Sequence, residues 1–487
     1  MPNPLKLIAY HLYLFQLENY RIRRYFAILQ KQYPWKAPAE TRKKLVWTLK
    51  ASYLFLLALI LQILLALAVS KITYALLPIP RGIANTAGLI TFAGLFWLFP
   101  FLLAGAMFLY YPTDRSFKKS IIRRAQKKMR EFPNLIIIGI TGSYGKTTMK
   151  ETIATMLSQK FHVLKTPENI NTPLGISRLI LEKLNPGIQI LVAEMGAYER
   201  SDIRALCDII QPQIAVLTGI NEAHLERFGS LEETTAAKFE IVDSAKPDGI
   251  VLLNADDTRV MKEYRTHTDK RKTYFYSGEN HPMAQTRISE IRFFEDGSGI
   301  GFELATGSDS LGYIKVPFLG EYITGIVGGA ALIAKELGMT KDEIRRGIAG
   351  IMPIPHRLQA IKKEGGVLII DDSYNGNPDG VKEALKTLAR FKGRRTIYVT
   401  PGLVETGVSA EAVHREIGKE LAKSADRVVL IRNSVTPFIA EELLKNGFPQ
   451  EHIIWFDTAP ETYKKIPEIM KSGDVVLFQN DWPENYF

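Results

Sequence analysis

Cysteine is nearly absent: Cys207 is the only one among 487 residues. Neither an intrachain disulfide nor a multi-cysteine zinc site can form, which suits a reducing compartment. Cys207 itself reads as a small buried hydrophobe. No collagen-like or repetitive segment occurs, and the early apolar core of a cleavable signal peptide is missing, because the first long uncharged run begins roughly fifty residues in. Acidic charge is in deficit, with 51 Asp and Glu against 62 Lys and Arg, a net charge of +11. Such an excess fits nucleic acid, a membrane surface or an anionic substrate, and its location decides which.

The excess lies at the front. Arg21, Arg23, Arg24, Lys31, Arg42, Lys43 and Lys44 precede the first apolar run, and eight lysines and arginines between Arg115 and Arg130 follow the second. This pattern flanks a membrane and argues against a nucleic-acid partner. Ala51 to Ser70 carries no charge and is long enough to cross a bilayer that needs about 20 residues. A second uncharged stretch, Gly82 to Thr113, contains Trp97, Tyr110 and Tyr111; it predicts a second transmembrane helix, kinked at Pro100. Basic outer flanks and a short connecting loop place both chain ends in the cytoplasm. Leu5 to Leu29 mixes apolar and basic residues, as expected of an amphipathic helix in the headgroup layer or of a helix packed on the hairpin or on another subunit. A buried, soluble helical hairpin is the alternative to the membrane reading.

At roughly 150 residues per domain, the length predicts about three folding units. After the basic run, Leu135 to Ile140 is a continuous apolar stretch of the kind a buried parallel strand shows. Thr141-Gly142-Ser143-Tyr144-Gly145-Lys146-Thr147-Thr148 follows and leads into MKETIATMLSQ, which has helical spacing. Strand, glycine loop and helix in that order is the context of a phosphate-binding loop. Gly142 and Gly145 let backbone N–H groups turn onto phosphate at a helix N-terminus, Lys146 reaches the β- and γ-phosphates, and the Thr147 hydroxyl suits magnesium. Ser143 and Thr148 complete the nucleotide-binding candidates. Ile140 stands where the strict Walker pattern has glycine, so the loop is a variant.

Beyond the loop, VAEMGAYERSDI (192–203), LTGINEAHLERFGS (217–230), AAKFEIV (236–242) and DDSYNGNPDG (371–380) resemble the Mur ligases, which build the peptide of bacterial cell walls, and most of all their D-alanyl-D-alanine-adding branch. The similarity runs from about Asn134 to Asp474. It implies an α/β fold of three parts: an α-helical transmembrane hairpin with its flanks (1–133), a central P-loop ATPase domain (134–352) and a Rossmann-like C-terminal domain (353–487). In the last, Val367–Asp371, Thr396–Thr400, Val428–Ile431 and Val475–Phe478 read as short buried strands. The resemblance implies that Glu194, His224 and a carbamylated Lys238 join Thr147 around magnesium, as two ions, with ATP and CO2 as the other cofactors. A lysine ammonium cannot ligate a cation, whereas its carbamate supplies hard oxygen donors. Arg357, in His-Arg-Leu-Gln, resembles the arginine that contacts phosphate between the domains. Asp372 and Asn375 resemble residues near the nucleotide, and Asn171, Thr172, Asn377 and Glu405 are the implied substrate positions. Lys146, Lys238, His224 and Arg357 are the implied catalytic set.

Two motifs depart from the family. Tyr322, Ile323 and Ile326 stand where it carries a His-Asn-x-x-Asn stretch, and Gln479-Asn480-Asp481 replaces a C-terminal Lys-Gly-Ser. The front of the chain departs too, with membrane helices where the family has a UDP-sugar-binding domain. The reading is therefore an ATP-dependent ligase on the cytoplasmic face of a bacterial inner membrane. It acts through an acyl phosphate on a UDP- or lipid-linked muramoyl-peptide, with a dipeptide or other amine as donor and membrane lipids as partners. The alternatives are a subunit that amidates lipid-linked precursor and a membrane scaffold without catalysis.

Overall fold

The computed structural model describes residues 4–31, 45–77, 80–168, 170–221, 228–268, 271–374, 376–403 and 409–480. The chain forms two compact units, one within residues 1–120 and one within residues 121–483.

The first unit is helical: α1 (Pro4–Leu17), α2 (Ile22–Lys31), α3 (Leu49–Leu76), α4 (Arg81–Gly94) and α5 (Phe99–Met129), the last continuing into the second unit. Thr48 caps α3 by accepting from the Ala51 N–H. Among the described residues, α3 alone is by itself long and apolar enough to cross a membrane. The second uncharged stretch is not one kinked helix as its composition predicts. It breaks at residues 95–98 into α4 and α5, bent by 87°. Pro100 sits in the first turn of α5, where its missing N–H breaks no hydrogen bond, so it marks a start and not a kink. The Gln62 side chain of α3 donates to the Phe92 carbonyl beside this break (2.8 Å). Gly88 lets α4 approach closely, because a Cβ there would stand 2.9 Å from the Ala66 carbonyl oxygen.

Leu5 to Leu29 likewise is not a single helix. It folds as α1 and α2, broken where Asn19 and Tyr20 take positive φ. Leu12, Phe15 and Tyr25 are buried in one core with Leu54, Phe99 and Leu103, so packing on the hairpin is the arrangement adopted. Large apolar side chains such as Leu56, Ile63, Leu64, Leu89, Ile90 and Phe108 face outward.

The second unit begins with a six-stranded parallel sheet formed by β1 (Ile136–Thr141), β2 (Val163–Lys165), β3 (Ile190–Glu194), β4 (Ile214–Leu217), β5 (Ile250–Asn254) and β6 (Lys272–Tyr276), in the order β2-β3-β1-β4-β5-β6. Alternate residues serve opposite faces: Ile138, Ile140, Val192 and Val216 join one core, and Ile137, Leu191, Ala193 and Leu217 the other. Burial on both faces is why these strands read as continuous apolar runs. Between β1 and β2 runs α6 (Lys146–Leu157), which buries Met149, Ile153, Met156 and Leu157 at helical spacing. Cys207 is buried, as its solitary occurrence suggests.

A three-stranded antiparallel sheet follows, β7 (Thr286–Phe294), β8 (Gly299–Thr306) and β9 (Asp309–Val316), which the sequence reading does not anticipate. The C-terminal sheet has β10 (Gln359–Lys362), β11 (Leu368–Asp372), β12 (Thr396–Thr400), β13 (Arg427–Ile431), β14 (Ile453–Phe456) and β15 (Val475–Gln479), in the order β10-β11-β15-β12-β13-β14. All pairs are parallel except β10 with β11. The four strands read from sequence are present to within a residue, and the edge strands β10 and β14 are additional.

Candidate active site

β1 lies between β3 and β4, with Ile140 level with Glu194 and Thr141 level with Leu217. The loop after β1 therefore opens at the carboxyl ends of three adjacent strands, where open α/β sheets collect their chemistry. Gly142 (φ 149°) and Gly145 (φ 73°) take backbone conformations that side chains disfavour. At Gly142 a Cβ would run into the Thr218 hydroxyl. The loop thus brings its N–H groups to the N-terminus of α6, a ready anion site.

Lys146 opens α6 and donates to the loop's own Gly142 carbonyl (2.7 Å). Burial pushes its ammonium down to about 8, against the pull of Glu194. Ser143 bonds through its N–H to the Gly219 carbonyl (2.8 Å) and through its hydroxyl to that of Asn221 (3.4 Å). Thr148 is buried.

Glu194 ends β3 and receives the Thr147 hydroxyl on Oε2 (2.9 Å) and the Asn171 amide on Oε1 (3.3 Å). A hydroxyl and a carboxylate side by side at the mouth of a phosphate loop are hard oxygen donors of the kind magnesium takes, so these two residues fit that ion. Among the described residues no three His, Cys, Asp or Glu side chains cluster further. His224, Asn375 and Glu405 lie outside the described residues. Lys238, on the helix Leu231–Asp243, is 2% exposed. Its Nζ lies 5.6 Å from the centre of the Phe228 ring, and burial, then the charge of Lys146, lower its ammonium to about 7.

The C-terminal domain brings the rest. His356 and Leu358, on either side of Arg357, both take positive φ, a doubly kinked linker that presents Arg357 toward Tyr374. Arg357 donates to the Tyr374 carbonyl (3.0 Å) and lies over its ring, 4.7 Å from the centre. His356 pairs with Asp371 at 2.8 Å. Asp372 accepts from Gln479 Nε2 (2.7 Å) and the Leu358 N–H (3.1 Å), and burial raises its carboxyl above the usual range. Gln479 and Asn480, at the place of the family's Lys-Gly-Ser, thus brace the DDSYNGNP loop: Asn480 also accepts from the Gly376 N–H (3.1 Å). Two substrate candidates have structural duties. Thr172 caps α7 (Pro173–Lys183), and Asn377 caps the helix Pro378–Leu388. Ile323 and Ile326 are buried in the core and offer no polar group.

Several residues that sequence reasoning passed over belong to this site. Lys150, one turn after Thr147 and 0% exposed, has its Nζ 3.2 Å from Glu151 and 3.8 Å from Glu194. Its spacing from Thr147 on one helix face was the available signal. The Tyr144 hydroxyl donates to Asp257 (2.8 Å), whose carboxylate also takes the N–H groups of Ile220, Arg259 and Val260; this tethers the loop to the end of β5, and no local pattern announced it.

His414 is fully buried. Its Nε2 accepts from the Leu403 N–H (2.8 Å), and its Nδ1 faces the Ala410 carbonyl (2.5 Å). That pairing requires the neutral ring with its proton on Nδ1. Burial lowers its pKa, so the unfolded chain binds a proton near pH 6.5 that the folded one refuses. Its contribution is complete above that pH and declines as pH falls below about 6.5. Melting curves at about pH 7.5 and 5.5 should show a larger drop in the wild type than in His414→Asn; an equal drop would assign the acid sensitivity elsewhere.

Residues 140–324 match the Mur ligase middle domain, and residues 356–479 match the Mur ligase, glutamate ligase domain. Fold, phosphate loop and the Thr147–Glu194 pair define an ATP-dependent amide-bond-forming ligase, and the chain belongs to the Mur ligase family. Its relatives include the UDP-N-acetylmuramoyl-tripeptide--D-alanyl-D-alanine ligase of Escherichia coli, 30% identical over 337 residues that cover 67% of this chain and 73% of that protein. The Bacillus subtilis enzyme of the same name is 28% identical over 344 residues, 70% of this chain and 72% of the relative. The crystal structure of MurF ligase from Thermotoga maritima in complex with ADP superposes with a TM-score of 0.65 at 28% identity, over 75% of this chain and 80% of that one.

Proposed function

We propose that this chain joins D-alanyl-D-alanine to a muramoyl-tripeptide at the expense of ATP, in the assembly of the cell-wall peptide. The observation that carries the reading is the Thr147–Glu194 pair at the phosphate loop, with Arg357 of the next domain near enough to Lys146 for its charge to be felt there. The γ-phosphoryl group passes from ATP to a carboxylate oxygen of the acceptor, and ADP leaves. The donor amine then attacks the acyl carbon, the phosphate departs, and the new amide nitrogen loses a proton.

Backbone N–H groups of the loop and Lys146 hold the phosphates, and Arg357 meets charge that develops on the transferring group. Thr147 and Glu194, together with His224 and a carbamate on Lys238, would hold magnesium, which would supply neutralisation of phosphate charge. Docking of the C-terminal domain excludes water that would hydrolyse the acyl phosphate. Lys238 suits the carbamate because it is buried, where a permanent ammonium is costly.

The same proposal takes the chain as three parts, residues 1–133, 134–352 and 353–487, with the first held in a bacterial cell membrane and the others in the cytoplasm. Support comes from the length of α3 and the apolar side chains it turns outward. Resistance of the protein to alkaline carbonate washing of membranes would bear this out, and its release would overturn it.

The test of function is phosphate release and amide formation by detergent-solubilised protein with ATP, magnesium and bicarbonate. UDP-muramoyl-tripeptide with D-alanyl-D-alanine is compared with a lipid-linked precursor and the same donor. Turnover that needs both partners supports the reading and names the acceptor. Turnover with ammonia alone as donor points to the amidating subunit, and none with any pair points to the scaffold.

A further inference from the structure

After β4, Thr218, Gly219 and Asn221 bond the phosphate loop directly, and Ile220 joins it through Asp257. Thr218 donates its hydroxyl to the carbonyls of Thr141 and Tyr144. The Gly219 carbonyl accepts from the Ser143 N–H at 2.8 Å, and the Ile220 N–H shares Asp257 with the Tyr144 hydroxyl. The Asn221 carbonyl takes the Ser143 hydroxyl at 3.4 Å. Gly219 is required here, since a Cβ would enter the Tyr144 ring.

On its other side the segment reaches the C-terminal domain through the Asn221 side chain. Asn221 is 0% exposed; its Nδ2 donates to Asn377 Oδ1 (3.1 Å) and to Asp379 Oδ2 (2.8 Å). Asn377 Oδ1 also caps its own helix through the Gly380 N–H. One amide nitrogen therefore meets the first turn of the helix that the DDSYNGNPDG loop starts, while the same residue's carbonyl holds the phosphate loop. Both contacts exist together only with the domains docked.

We propose that Asn221 is a positioning residue that couples the phosphate loop to docking of the C-terminal domain, so that donor binding and protection of the acyl phosphate depend on it. This rests on the ligase reading. A buried amide donating to a carboxylate is a strong link, and its loss leaves Asp379 and Asn377 short of a donor exactly at the domain boundary where closure is decided. The nucleotide loop keeps its own bonds in an Asn221 variant, because those run through the backbone carbonyl.

The test uses the full chain in detergent. Asn221→Ala should bind a non-hydrolysable ATP analogue as the wild type does and raise the KM for the donor dipeptide roughly tenfold to a hundredfold. It should also release more than one phosphate per amide formed. Asn221→Asp sets a carboxylate against Asp379 and should be worse, and adding Asp379→Asn should restore coupling, a rescue that a purely structural role would not show. Protease sensitivity of the linker around residues 353–358, followed with the ATP analogue, reports docking without any donor. Phosphate and amide staying one to one in Asn221→Ala, or failure of the rescue in folded protein, would overturn the proposal. Lack of turnover in the wild type itself would instead sink the ligase reading, with the docking readout still informative.

Discussion

Lys238→Ala should lower amide formation on the order of a thousandfold, the scale of losing one preorganised group that faces developing charge. Lys238 is 2% exposed, with the Phe228 ring 5.6 Å from its Nζ. Burying an ammonium costs several kcal/mol unless it is well paired, and burial accordingly brings this one to about 7. Neutral amine is the form that adds CO2, and a carbamate there would put a carboxylate-like oxygen where the ammonium stands. Three results follow from that chemistry. Depleting bicarbonate should slow the wild type, a small carboxylate such as acetate should restore part of the Lys238→Ala activity, and Lys238→Arg should remain inactive because a guanidinium cannot form the carbamate. Activity in Lys238→Ala near the wild-type level, without added carboxylate, would remove Lys238 from the mechanism.

Glu194→Gln is expected to raise the magnesium concentration needed for half-maximal phosphate release by roughly tenfold to a hundredfold. The substitution keeps shape and removes the charge beside the Thr147 hydroxyl. It also withdraws one of the two carboxylates near Lys150, whose Nζ is fully buried and retains Glu151 at 3.2 Å. Stability should therefore fall as well, by about 1–3 kcal/mol, the cost of leaving a buried polar group underpaired. Manganese binding followed by its spectroscopic signal separates the two effects: weaker binding in a variant that is still folded assigns Glu194 to the metal, whereas unchanged binding with a lowered melting point leaves it only a structural partner of Lys150.

Much of this site was legible in the chain itself. The stretch Leu135 to Ile140 reads as a buried strand because both faces of β1 are covered, which makes every position apolar. The glycines of the phosphate loop are visible because only glycine readily takes φ values of 149° and 73°. Glu194 stands out as a carboxylate ending an apolar strand. The three-stranded sheet β7 to β9 was not legible: its strands bear many exposed polar residues and lack the uninterrupted apolar run that marks the parallel strands. The break between α4 and α5 was also hidden, because apolar composition alone does not distinguish one helix from two joined at 87°.

The sequence by itself determined the elements whose signals are local: the phosphate loop between strand and helix, the parallel strands, the long apolar helix α3 and the family motifs. Periodicity and backbone preference act over a few residues and leave their trace in the order of side chains. Only the tertiary structure decided which distant groups share one space. It brings Lys150 to Glu194, Gln479 to Asp372, and Asn221 to Asn377 and Asp379 across a separation of 156 and 158 residues. A hydrogen bond or buried ion pair depends on separations of a few ångströms, and those are set by how sheets and helices pack, which no short stretch of chain contains.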